Sequence, residues 1–95
     1  MNDSELVRAL KALADPIRFR MVQEIAAAGE LSCSQIGEFF EVTQPTISHH
    51  LKILIEAEVL VARPEGKHHF MSVNQALLKQ LTALLPARLG PPARR

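Results

Sequence analysis

Five side chains in this 95-residue sequence carry reactive or near-neutral titrating chemistry: Cys33 and the histidines His49, His50, His68 and His69. A thiol with imidazoles can make a nucleophile and its base, or part of a zinc site. The spacing argues against both. Adjacent helical residues diverge by about 100°, and adjacent strand residues point to opposite faces, so neither His49–His50 nor His68–His69 makes a chelating pair. Catalysis would need Cys33, a histidine and an orienting group around a substrate cavity, for which so short a chain leaves little room. No catalytic residue, metal site or cofactor is expected.

A second set of residues suits a different chemistry. Gln44, Thr46, Ser48 and His49, with Lys52 beyond them, form a short polar run on one side of an apolar stripe. Glutamine can pair bidentately with adenine, hydroxyls reach bases or phosphates, and lysine neutralises phosphate. Their side chains are short enough to let a helix backbone enter a major groove about 12 Å wide. Arg63 and Lys67 follow as candidate phosphate contacts, and His68 or His69 as a contact to the DNA backbone. Cys33 keeps one functional option: in the first turn of a helix, the dipole favours thiolate reaction with oxidants or sulfur species. Its plain alternative is a small side chain filling space.

These residues need elements to hold them. Leu6, Val7, Leu10 and Leu13 predict an amphipathic first helix from Asp3 to Ala14. Asp15-Pro16 starts a second, with Asp15 as N-cap, an inner stripe of Ile17, Met21, Val22 and Ile25, and Gly29 as its stop. Arg18 and Arg20 are expected in solvent. Ser32 through Gln35 has the form of a capping box, opening a third helix that turns Ile36, Phe39 and Phe40 inward, with Gly37 allowing close approach of a crossing helix. Thr43 caps a fourth helix with Pro45 in its first turn, and Ile47, Leu51, Leu54 and Ile55 form its inner stripe. His50, nearer that stripe, is expected to be packed and hydrogen-bonded.

After the fourth helix the period changes to that of strands. Val59–Arg63 and His68–Val73 read as a β-hairpin around the turn 64–67. A last helix from Gln75 to Leu85 is expected to stop at Pro86. The fold class is therefore mainly α with one hairpin between the fourth and fifth helices, the order of a winged helix-turn-helix. Residues 1–87 form one domain, and 88–95 a flexible basic tail.

Composition limits the rest. The chain is 47% hydrophobic and 22% charged, with one cysteine and no possible internal disulfide. Net charge is −3 over residues 1–43, zero over 44–73 and +4 over 74–95. All four histidines lie in the middle segment, which can gain positive charge on mild acidification. Affinity for DNA is accordingly expected to rise from about pH 8 to pH 6. The acidic start lacks the form of a secretory signal, and no stretch approaches the roughly 20 residues of a membrane span, so the cytosol is the expected compartment. A protein-interaction module built on leucine-rich terminal helices is the alternative to DNA binding.

Ala12–Arg20 and, above all, Val42–Leu54 with its Ser48-His49-His50-Leu51-Lys52 run resemble the ArsR-type (arsenic-repressor-like) family of dimeric winged-helix repressors, as does Val59–Lys67. The resemblance runs from about residue 5 to residue 85. It implies that Gln44, Thr46, Ser48 and His49 touch bases or backbone, with Arg63 and Lys67 on the wing. It also implies a homodimer through the first and last helices, reading an inverted repeat of double-stranded DNA. Leu6, Leu10, Leu77, Leu78, Leu81 and Leu85 are the expected interface; the leucines of the last helix span more than one face. Members that sense metal through the third helix have a Cys-x-Cys pair where this chain has Ser32-Cys33-Ser34. Those that use the last helix have Asp and His ligands, absent after Asn74.

Overall fold

The computed structural model describes residues 1–92. Over these residues the chain forms α1 (Asp3–Leu13), α2 (Pro16–Ala28), β1 (Leu31–Ser32), α3 (Cys33–Gly37), α4 (Gln44–Glu56), β2 (Leu60–Glu65), β3 (His68–Val73) and α5 (Gln75–Leu89). The boundaries follow local chemistry. Asp15 accepts hydrogen bonds from the Ile17 and Arg18 amides at 3.0 Å, with Pro16 as the first helical residue. Gly29 ends α2 at φ +84°, a conformation that costs glycine little. Ser32 and Gln35 form a reciprocal capping box at the start of α3. Thr43 holds the N-cap position of α4, but its hydroxyl bonds the Thr46 hydroxyl at 3.0 Å instead of an amide.

The core gathers Met21, Val22 and Ile25 from α2, Ile36 from α3, Ile47, Leu51 and Leu54 from α4, and Val59, Leu60 and Met71 from the hairpin. Three expectations about packing need correction. The buried stripe of α1 is Leu6, Ala9 and Ala12, while Val7 and Leu10 face outward. Alanines let α1 lie close to α2 and α4, which periodicity of large residues does not reveal. Phe39 is 42% exposed, because α3 ends at Gly37 and the chain leaves the helix before reaching it. Arg18 is not solvated: it bonds the end of α1 and reaches α4, as described below.

The hairpin is longer than expected and belongs to a three-stranded antiparallel sheet of order β1-β3-β2. Leu31 pairs with Met71 and Ser32 with Phe70, while β2 and β3 run from Leu60↔Val73 to Glu65↔His68. Only Gly66 and Lys67 remain in the turn, with Gly66 at φ +59°, as a two-residue hairpin loop led by glycine requires. The added strand β1 is two residues long, too short for a period-2 pattern to announce.

The last helix passes through Pro86 and ends at Leu89, four residues beyond its expected last residue, Leu85. Proline removes one intrahelical hydrogen bond, which matters least near a helix end. Arg88 compensates by pairing with Asp3 at 2.8 Å and bonding the Met1 carbonyl at 3.3 Å, tying the last turn to the start of α1. The expected flexible tail 88–95 thus begins inside α5, and residues 93–95 lie outside the described residues. At 15 residues and about 22 Å, α5 buries only Leu77 and Leu81, and the molecule is 57 Å long against 25 and 22 Å in its other dimensions.

Candidate nucleic-acid interface

The α4 helix is amphipathic in the sense a recognition helix needs. Ile47 and Leu54 are wholly buried and Leu51 nearly so, while Gln44, Ser48, His49 and Lys52 are exposed. Gln44, Ser48 and Lys52 recur at i, i+4 and i+8, so they line one side of the helix. Thr46 is half-buried, held by the hydroxyl pair with Thr43. Lys52 faces Glu56 one turn on at 3.9 Å, an exposed pair too weak to withdraw it from other anions. α3 crosses close by. A Cβ at Gly37 would lie 2.5 Å from Gln44 Nε2, so glycine leaves room for the Gln44 side chain at the head of α4.

Charge and hydrogen bonds brace this helix from behind. The Arg18 guanidinium donates to the Ala12 carbonyl at 2.8 Å and the Lys11 carbonyl at 3.2 Å, and reaches His50 Nδ1 at 3.4 Å. It therefore joins the end of α1, the start of α2 and the middle of α4. The Arg18 amide, bonded to Asp15, holds the Asp15 carboxyl below its ordinary range, with the charges of Arg18 and His50 acting in the same direction. His50 is half-buried and hydrogen-bonded, in keeping with its expected packing role. Arg18 was invisible to sequence reasoning as a brace, because nothing in its spacing marks an arginine that folds back onto carbonyls six and seven residues earlier.

The hairpin supplies a second exposed basic element. Lys67 and His68 sit at its tip, both exposed, and the His68 ring lies 6.4 Å from that of Phe70. Arg63, expected beside them as a phosphate contact, is already engaged. Its Nε and Nη2 donate to the two carboxylate oxygens of Glu30 at 3.1 and 2.7 Å, and its Nη1 donates to Glu65 at 2.9 Å. It also lies 5.0 Å from the centre of the Phe70 ring. These bonds hold the Glu30 carboxyl below its ordinary range and push the Arg63 guanidinium up. Glu30 carried no sequence signal, since its pairing with Arg63 spans 33 residues.

Cys33 is half-buried at the first position of α3. With Ser48, Lys52, Ala62, His69 and Met71 it lines a cleft of about 420 Å³ between α4 and the hairpin. Among the described residues no three His, Cys, Asp or Glu side chains converge as metal ligands would, and no helix is long and apolar enough to cross a membrane. Of the leucines expected at an interface between copies, Leu6, Leu77 and Leu81 are buried within this chain, Leu10 is exposed, and Leu78 and Leu85 are half-buried.

A helix-turn-helix domain model matches residues 13–63, the stretch from the end of α1 through α4 into β2. The arsenical resistance operon repressor of Staphylococcus aureus is 35% identical over 81 residues, covering 85% of this chain and 77% of that protein. A solved structure described as a possible transcriptional regulator for arsenical resistance superposes with a TM-score of 0.75 at 30% identity, covering 84% of this chain and 82% of the other. An ArsR family transcriptional regulator reaches a TM-score of 0.82 over 93% of this chain and 90% of the other, at 18% identity, a likeness of fold alone. Matches of this extent, over the residues that build the helix pair and its hairpin, show that the chain belongs to the ArsR-type family of winged helix-turn-helix transcriptional regulators.

Proposed function

We propose that this chain is a homodimeric repressor that binds an inverted-repeat DNA operator and is released by a signal. The observation that carries the reading is α4, whose inner stripe is buried and whose outer side offers Gln44, Ser48, His49 and Lys52 to solvent. Thr46 flanks them at the helix start. On this reading Gln44 and the hydroxyls contact base edges, while Lys52, Lys67 and His68 neutralise phosphates. A non-enzymatic role fits the family, whose named relatives are regulators.

The homodimer reading is supported by α1 and α5. Leu10 and Leu89 are exposed on them, and Leu78 and Leu85 are half-exposed. A second copy across a two-fold axis would cover these residues and set two recognition helices about one DNA turn apart. Selection of bound sequences from a random DNA pool tests the whole reading. An inverted repeat with half-sites about one turn apart is the expected outcome, and absence of any enriched sequence would refute it.

Release of the operator involves Cys33 on this reading, supported by its place beside the cleft between α4 and the hairpin. Modification there by an oxidant or sulfur donor would separate the two DNA-facing elements. Peroxide or persulfide is expected to weaken operator binding by the wild type but not by Cys33→Ser. Equal responses would remove Cys33 from the mechanism.

A further inference from the structure

Arg63 has the sequence position of a phosphate contact and the surroundings of a structural clamp. Across the sheet, Ser32 of β1, Phe70 of β3 and Arg63 of β2 lie in one row. Arg63 starts on one edge strand, passes over the Phe70 ring of the central strand, and grips Glu30 beside the opposite edge strand with two parallel hydrogen bonds. Its remaining terminal nitrogen holds Glu65, two residues toward the tip. The row is also the last anchored one. Core burial in the hairpin ends at Met71 and Leu60, and from Pro64 through His69 every residue is exposed.

We infer that Arg63 is a positioning residue of the wing, which fixes the tip carrying Lys67 and His68 through Glu30 and does not itself bind phosphate. A bidentate guanidinium–carboxylate pair fixes orientation as well as distance, and the Phe70 face limits the arginine to one path across the sheet. A phosphate would have to displace two carboxylates already matched to all three nitrogens used. The inference rests on the DNA-binding reading for its consequence, whereas the clamp itself exists in the free protein.

The two roles predict opposite signs for one substitution. Glu30→Gln removes a negative charge near the DNA-facing side, so a phosphate-binding Arg63 would be freed and operator binding would tighten. With Arg63 as a clamp, Glu30→Gln weakens binding roughly threefold to fivefold, the scale of one exposed ion pair. Arg63→Gln weakens it similarly and leaves the salt slope unchanged, while loss of a true phosphate contact lowers the slope by about 0.9. Lys67→Ala costs less in the Glu30→Gln background than in the wild type, although Glu30 and Lys67 are not bonded. Tighter binding by Glu30→Gln, or a reduced slope in Arg63→Gln, overturns the inference. NMR order parameters of Gly66, Lys67 and His68 in the free protein separate this from failure of the DNA reading: they fall in Glu30→Gln if the clamp acts, and unchanged values overturn it without any DNA present.

Discussion

The α4 helix and the wing are held in place by different physics. The α4 helix is fixed by burial: Ile47, Leu51 and Leu54 enter the core, and Arg18 reaches His50 from behind. The wing is buried only at its root, and its outer half depends on exposed charges, with Arg63 shared between Glu30 and Glu65. Burial resists salt, whereas exposed ion pairs are screened over about 10 Å at 0.1 M ionic strength. The placement of α4 is therefore set by contacts that salt does not weaken, whereas the outer wing rests on contacts that salt does weaken.

The sharpest way to break this comparison is to attack the burial side. Ile47→Ala removes a wholly buried side chain and is expected to destabilise the fold by about 2–5 kcal/mol, read from denaturant unfolding. A loss below about 1 kcal/mol would mean that α4 is not anchored by its core face. Gln44→Ala should leave stability nearly unchanged and reduce discrimination between the operator and a single-base variant by about 1–3 kcal/mol. Equal loss on both DNAs would demote Gln44 from base reader to backbone contact.

Asp15→Ala is next, with about 1 kcal/mol of stability lost through the missing helix cap. Its sign with pH is fixed by the lowered carboxyl: the contribution is present above the ordinary value of 3.8 and disappears as pH falls through the lower folded value. Thermal midpoints from pH 6 to pH 2 should thus fall more steeply for the wild type than for Asp15→Asn, and parallel curves would exclude Asp15 from acid unfolding. The smallest expected effect is Lys67→Ala, which weakens binding similarly on all sequences and lowers the salt slope by about 0.9. A sequence-dependent loss would give the wing tip a reading role and blur the distinction between the two elements.

The order of elements was legible because each is announced locally. The cap at Asp15, the capping box at Ser32 and Gln35, and the stripe of α4 depend on residues within a few positions of one another. The exposed side of α4 was legible for the same reason: burial of one helical face leaves the other to solvent. The mistakes fall where distant residues decide. Strand β1 exists only because β3 pairs with it, and Pro86 remains helical while Arg88 reaches back 85 residues to Asp3. The stripe of α1 shifted to alanines because its neighbours approach closely enough to exclude larger side chains.

Sequence by itself determined the helix pair, the hairpin and the polar face between them, since 3.6- and 2-residue periods and cap chemistry are short-range properties. Tertiary structure alone decided what Arg18 and Arg63 do. Arginine has a long stem and five donors, so its partner is whatever carboxylate or carbonyl the fold brings within reach. For Arg18 that is the end of α1 together with His50. For Arg63 it is Glu30, across a sheet whose third strand no local pattern foretold.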